Sequence, residues 1–436
     1  MDLVSLVRGA GVVGAGGAGF PTHLKLQGAA EVLILNGCEC EPLVKADQQL
    51  LLHKGDEVLN GLGRAAGQVG AERVVIGVKG KNKAVAAAIE PLAREKRMEV
   101  VLLGDHYPVG DEHVLVREVT GRAVPPGGIP LNVGVLVLNV ETTLNIANAV
   151  SGRPVIEKFV TVSGAVRRPC TLRVPVGTSV GDCVSAAGGP SNDDYVLALG
   201  GPMTGSFTRD TGLPVDKRTK AIVVMPAANN VAQKAFLSLK AMTQRTGSAC
   251  CLCRACTDLC PRYLLGHPIE PHQVMRAVAH FALADIDLLK MALLCCECRV
   301  CDKYACPMDL TPGAVMGEIK RSLLARGVKA RWELRDWGPT LEGRRVPTGR
   351  LVGRLGLSGF DVEAPLLAKP VEPRRVALPL RQYVGAPARP LVRVGDQVKA
   401  GDMVAEVGGR DVGAHVHASI QGMVSKVNSA ITIEAG

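Results

Sequence analysis

The chain has 436 residues, 47% of them hydrophobic and only 3% aromatic, with a formal net charge of +10. That length predicts about three domains and that apolar content supports ordinary cores, which excludes a disordered chain. No apolar run reaches the roughly 20 residues that span a bilayer, and residues 1–8 lack the apolar core of a secretory signal, so the expected location is the cytoplasm, where thiolates stay reduced.

In chain order, the first feature is Gly14-Ala15-Gly16-Gly17-Ala18-Gly19-Phe20-Pro21, a literal GxGxxG. No strand is expected before Gly14, and Pro21 biases Phe20 away from helix, so the strand, turn and helix of a dinucleotide fingerprint are missing. The remaining use of such a loop is to bring backbone N–H groups close to an anion, with Lys25 adding charge; a merely flexible loop is the alternative. Apolar β-branched runs at 32–35, 73–78, 100–103 and 135–138, with helix-like segments such as 83–96 between them, predict an α/β layer with a mostly parallel sheet over residues 1–152. The first and last runs stop at polar clusters, Asn36-Gly37-Cys38-Glu39-Cys40-Glu41-Pro42 and Asn139-Val140-Glu141-Thr142. In open α/β sheets ligands bind beyond the carboxyl ends of the strands, where both clusters fall. Cys38 and Cys40 are read as small cavity-lining side chains rather than redox or metal groups, since no nearby cysteine completes a site.

Residues 153–228 change pattern: two short strands near 160–164 and 171–174, a helix over 180–187 and a strand over 195–199 predict a small β-grasp module, read as a spacer. Residues 229–330 then carry most of the fourteen cysteines, in two runs that each end in Cys-Pro. Cys250, Cys253, Cys256 and Cys260 have the spacing of two-cluster ferredoxins, and Cys295, Cys298, Cys301 and Cys306 repeat it with one extra residue. Two [4Fe-4S] sites are the expectation, the fourth cysteine of each run serving the other run's cluster, with Cys251 and Cys296 spare. Structural zinc usually joins two Cys-x₂-Cys knuckles across a longer gap, and a disulfide framework suits short secreted chains. His267 and His272 are metal or corrinoid ligands in one reading and loop-capping histidines in the commoner one.

Between Lys320 and Arg354 ten Lys and Arg face Glu333, Asp336 and Glu342. With so few aromatic residues and no recognition motif, nucleic acid is not the expected partner. A solvated helix followed by a basic linker over 331–375 is one reading, and a docking face for an acidic partner the other. Residues 376–436 carry two glycine-punctuated valine-rich halves, near 392–404 and 417–424, similar to a biotinyl/lipoyl-type barrel-sandwich hybrid; the segment 405–415 between them contains no lysine to carry a swinging arm.

The glycine loop, the two polar clusters and the cysteine runs together resemble the family that joins the 51-kDa NADH-binding subunit of respiratory complex I, RnfC and the PduS-type cobalamin reductases. The resemblance implies a multidomain α/β chain: an Nqo1-like FMN-binding domain, an SLBB β-grasp module, an α-helical two-cluster ferredoxin-like domain and a C-terminal barrel-sandwich hybrid. By position it assigns Gly14, Gly16, Gly17, Gly19 and Lys25 to the FMN phosphate region, Asn36, Glu112 and Asn139 to cofactor binding, and Glu39 and Glu41 to catalysis beside the flavin and nicotinamide. It implies FMN, two [4Fe-4S] clusters and NADH as cofactors and cobalamin as substrate. The implied setting is a B12-dependent diol dehydratase system for propanediol utilization, with a corrinoid-handling adenosyltransferase and microcompartment shell proteins as partners, inside a bacterial microcompartment; an oligomer is compatible with this. The C-terminal position of the barrel-sandwich module favours the cobalamin reductases over RnfC. Two readings stay open beside it: an RnfC-like subunit of a membrane ferredoxin:NAD oxidoreductase, and a non-enzymatic iron-sulfur electron wire.

Overall fold

The structure is a computed structural model that describes residues 2–280, 285–335, 342–409 and 411–436. Its first domain is built on four parallel strands, β1 (Val32–Gly37), β2 (Arg73–Lys79), β3 (Glu99–Leu103) and β4 (Val135–Asn139), in the order β3-β2-β1-β4. Val32, Leu33, Ile34 and Leu35 are all buried, as a strand covered on both faces requires. The long helix α1 (Ala46–Val69) lies against α2 (Val140–Val150), and a Cβ on Gly61 would collide with the Thr143 carbonyl, so glycine lets the two helices touch. Chain order reverses between β1 and β4, and Asn36 stands in register beside Asn139 at the carboxyl ends of the two strands. A cleft opens at such a switch point.

The second module is a mixed sheet of β5 (Glu157–Gly164), β6 (Cys170–Pro175), β7 (Tyr195–Leu199), β8 (Ser206–Thr208) and β9 (Ala221–Pro226), in the order β6-β5-β9-β7-β8, with one helix, Val180–Ala186, capped by Ser179. The cysteine region is helical. Asn230–Lys234 and Leu239–Ala249 precede the first run; Ile286–Lys290 and Met291–Leu294 precede the second, and Pro312–Ala325 follows it. Ser238 caps the helix that begins at Leu239.

The segment expected as a basic linker is packed over 346–357 and exposed over most of 331–335 and 361–375. Val346–Pro347 pairs with His106–Tyr107, and Leu351, Val352, Leu355 and Leu357 are buried in a core shared by the flavin-like domain, the β-grasp sheet and the cysteine loops. Part of its charge is turned inward: Arg345 meets Glu118 at 2.6 Å, Arg344 meets Asp258 at 3.2 Å, and Lys320 and Arg354 donate to the carbonyls of Cys295 and Cys306, whereas Arg326, Lys329, Arg331 and Arg350 stay exposed. Asp336, counted in that stretch, lies outside the described residues, as does the Glu342 side chain. The C-terminal module pairs Arg375–Pro379 with Ala430–Glu434, which pairs with Gly422–Val427. Val13 of the glycine loop belongs to this module's core, beside Val376, Leu378 and Tyr383.

Candidate functional site

A cavity of about 560 Å³ opens at the β1/β4 switch point and collects Gly14, Gly16, Gly17, Gly19, Lys25, Asn36, Glu39, Glu41, Glu112 and Asn139 on its walls. Strand β1 delivers Asn36, which donates to the Gly110 carbonyl at 2.8 Å and accepts from the Cys38 N–H at 3.1 Å. Asn139 caps α2 by accepting from the N–H groups of Glu141 and Thr142. The Thr142 hydroxyl in turn accepts the Ala15 N–H at 3.0 Å and pins the glycine loop against that helix. A Cβ on Gly16 would come within 2.8 Å of the Asn139 amide nitrogen. Among the described residues none accepts the N–H groups of Gly16, Gly17, Ala18 or Gly19. Gly16, Gly17 and Ala18 are exposed and all four residues line the cavity, a cradle of the kind that holds a phosphate.

From behind, the loop is braced by the C-terminal module. Gly19, at φ +75°, accepts from the Val384 N–H at 3.4 Å, and the buried Lys217 ammonium joins the Gly11 carbonyl at 2.7 Å to the His415 carbonyl at 2.8 Å. A buried ion pair between Lys158 and Glu141 ties the β-grasp sheet to the same corner.

The acidic residues divide by their partners. The Lys220 ammonium lies 2.5 Å from Glu39 and 2.6 Å from Asp47, and Asn139 donates to the same Asp47 oxygen at 2.9 Å. Burial works to raise the Glu39 carboxyl, but Lys220 outweighs it and holds that carboxyl below its usual range. Burial pushes the Asp47 carboxyl up to about 6 against the pull of Lys220. Glu41 accepts from the Met203 N–H at 2.9 Å, the Thr204 N–H at 2.6 Å and the Thr204 hydroxyl at 2.5 Å, so its carboxylate is spent on the β-grasp loop. Lys25 and Glu112 pair with each other at 3.1 Å, and Asp111 takes Arg262 in two contacts of 2.5 and 3.0 Å. Asp47 and Lys220 escaped sequence reasoning: Lys220 sits in a separate module far along the chain, and no spacing links it to Glu39. Cys40 is half-buried and desolvation pushes its thiol up to about 11, in keeping with a neutral lining group that accepts from the Gly110 N–H.

The cavity's far wall is the second cysteine loop, through Cys296 and Cys298. One small pocket gathers Cys250, Cys253, Cys256 and Cys306; another gathers Cys295, Cys298, Cys301 and Cys260, so each set of three is joined by the last cysteine of the other run. Corresponding residues of the two runs share left-handed backbone, Leu252 (φ 54°) with Glu297 (57°) and Arg254 (69°) with Arg299 (62°). Alternating conformations of this kind turn successive N–H groups inward, the geometry of many iron-sulfur sites. The first loop is exposed at Cys251, Leu252 and Cys253, whereas the second is enclosed. His267 Nε2 lies 3.1 Å from the Val124 carbonyl, and His272 Nδ1 lies 2.8 Å from the Thr257 hydroxyl, the contacts that capping histidines make.

Comparison with known proteins matches residues 7–148 to the Nuo51 FMN-binding domain, 159–207 to the SLBB domain, 249–311 to a 4Fe-4S dicluster domain and 363–436 to the RnfC barrel sandwich hybrid domain. The chain is 41% identical over 99% of its length, and 96% of the relative's, to the cobalamin reductase PduS of Salmonella typhimurium, and 40% identical over the same shares to that of Citrobacter freundii. A component of the Na(+)-translocating ferredoxin:NAD(+) oxidoreductase complex of Acetobacterium woodii is 34% identical over 59% of this chain and 57% of its own. Among solved structures, an NAD+-reducing [NiFe]-hydrogenase in its H2-reduced state shares the fold, with a TM-score of 0.50 and 23% identity over 74% of this chain and 61% of that one.

Proposed function

The chain belongs to the family of the cobalamin reductase PduS, and from that premise we propose that it moves electrons from NADH, through FMN and two [4Fe-4S] clusters, to cobalamin. The observation that carries the reading is the shared wall: Cys296 and Cys298 line both the large cavity and the enclosed cysteine pocket. FMN suits the cavity because the free N–H groups of residues 16–19 offer the phosphate its donors. When bound there, a flavin takes a hydride's two electrons and the clusters pass them on singly.

The chain's own residues hold and shield this route. Asn36 and Asn139 fix the carboxyl ends of β1 and β4 around the cavity. Glu39 stays ionised against Lys220, and Asp47, shifted to about 6, is the carboxyl able to hold or release a proton near neutrality. Glu41 is a positioning residue that locks the 203–204 loop. Cys260, Cys295, Cys298 and Cys301 hold the inner cluster, and Cys250, Cys253, Cys256 and Cys306 the outer one, whose exposed loop is the exit to the acceptor. The family resemblance supports an adenosyltransferase as the next protein in line and a microcompartment as the setting.

The test is anaerobic: NADH is added to the purified holoprotein, then aquocobalamin. The reading expects the flavin and cluster absorption to bleach and the corrinoid to restore it. Bleaching without restoration sinks the cobalamin assignment and favours the RnfC-like alternative, whose relatives match the chain over about 60% of its length.

A further inference from the structure

A second cavity, of about 310 Å³, lies between the β-grasp loop, the helices that precede the first cysteine run, and the enclosed cysteine loop. Thr204 lines both this cavity and the large one. Nothing in the electron route described above uses it. Four cations, Lys234, Arg299, Lys303 and Arg321, face it against two carboxylates, Asp302 and Glu318.

The partners show which charge is unmatched. Asp302 is spent on Arg299 at 3.2 Å and on the first N–H groups of the helix Pro312–Ala325. Glu318 pairs with Arg321, and Lys234 with Asp309 outside the cavity. Among the described residues the Lys303 ammonium donates to carbonyls alone, those of Pro202 at 2.7 Å and Met203 at 2.8 Å, and lies 5.2 Å from the Phe207 ring centre. Met203, Phe207, Leu237 and Met242 add apolar lining, and Lys303 stands beside two of them. A cavity of this size is at the small end of sites for organic ligands. A cation set against apolar lining calls for a ligand that carries an anion next to a flat or apolar body.

We propose that this cavity binds a phosphate ester with a ring body, a nucleotide in chemical class, with Lys303 on the phosphate and the Met203, Phe207 and Met242 side chains against the ring. The occupant rests on the loop that carries Cys298 and Cys301 and on Thr204, the partner of Glu41. Two sources share this chemistry: a free nucleotide, and the nucleotide tail of a corrinoid, which carries a phosphodiester.

Equilibrium dialysis of AMP against the anaerobic holoprotein tests the site, with adenosine as the phosphate-free control. Saturable AMP binding is expected, with adenosine weaker. Lys303→Gln lowers AMP affinity about tenfold, as loss of a charged hydrogen bond predicts. Glu318→Gln, which removes a facing carboxylate, raises it about threefold, a gain that misfolding does not produce. No saturable binding, or the same affinity in wild type and both variants, overturns the proposal. Displacement of AMP by cobalamin but not by cobinamide, which lacks the tail, assigns the site to the acceptor's tail; displacement by neither assigns it to a free nucleotide, and both results uphold the site.

Discussion

The flavin-like domain has two seams, and they are built on opposite principles. Toward the cysteine loops the contacts are matched: Asp111 grips Arg262 twice, Tyr107 donates its hydroxyl to the Cys298 carbonyl at 2.8 Å, and Arg345 meets Glu118. Toward the C-terminal module the contacts are unmatched. The buried Lys217 ammonium has carbonyls as its only hydrogen-bond partners among the described residues, and Arg8, His23, His415 and His417 crowd the same corner, with Glu406 the carboxylate acting on His415. The matched seam lies on the electron route, where spacing between centres has to be kept; the unmatched one only backs the glycine loop. The difference teaches that charge pairing here follows the route, and it makes the two seams respond differently to mutation and to pH.

The harshest way to break the comparison is Arg262→Gln. It leaves the half-buried Asp111 without its guanidinium, which costs about 2 kcal/mol and should appear as the largest fall in melting temperature of any substitution at either seam. Acid and base separate the seams next. The buried Lys217 ammonium is pushed down to about 7, so between pH 7 and its unfolded value near 10.5 the unfolded chain holds more protons and stability rises with pH. His23 and His417 are pushed down to about 4 and about 3 by burial, then by Arg8 and by Lys217 respectively, so stability is lost as pH falls from 6.5 toward those values. The Lys217 contribution amounts to about 1 kcal/mol per pH unit. Melting curves from pH 7 to 9 should therefore rise in the wild type and flatten in Lys217→Met; equal slopes would mean that the amine is solvated. The smallest effect sharpens the matched seam: Tyr107→Phe removes one hydrogen bond and should cost about 1 kcal/mol, with cluster content unchanged by iron and sulfide analysis.

Much of this arrangement is written locally in the chain. Three cysteines at x₂ spacing before Cys-Pro wrap a loop whatever surrounds them, and Leu252/Glu297 and Arg254/Arg299 take the same backbone in both runs. The glycine loop and the strand-end asparagines Asn36 and Asn139 were likewise visible, because parallel strands and their carboxyl ends follow from apolar runs. What was hidden depends on contacts between modules. Lys220 reaches Glu39 and Asp47 from the β-grasp sheet, and Arg262 reaches Asp111 from the first cysteine run. The basic stretch reads as a solvated linker or docking face because charge count carries no direction; Arg344, Arg345 and Arg354 turn to acids and carbonyls already in place, while Arg326, Arg331 and Arg350 remain exposed. Nor does local pattern distinguish the two cysteine runs, since only the fold decides which one faces the cavity.

That distinction is the account's central claim, and two cysteine variants test it most directly. Anaerobic stopped-flow mixing with NADH should find that Cys253→Ala, which strips the outer cluster, still reduces its remaining cluster at the wild-type rate. In Cys298→Ala, which strips the inner one, the flavin should bleach while the remaining outer cluster stays oxidised on the same timescale. Equal reduction of the remaining cluster in both variants would contradict an electron route that runs from the large cavity through the enclosed loop to the exposed one.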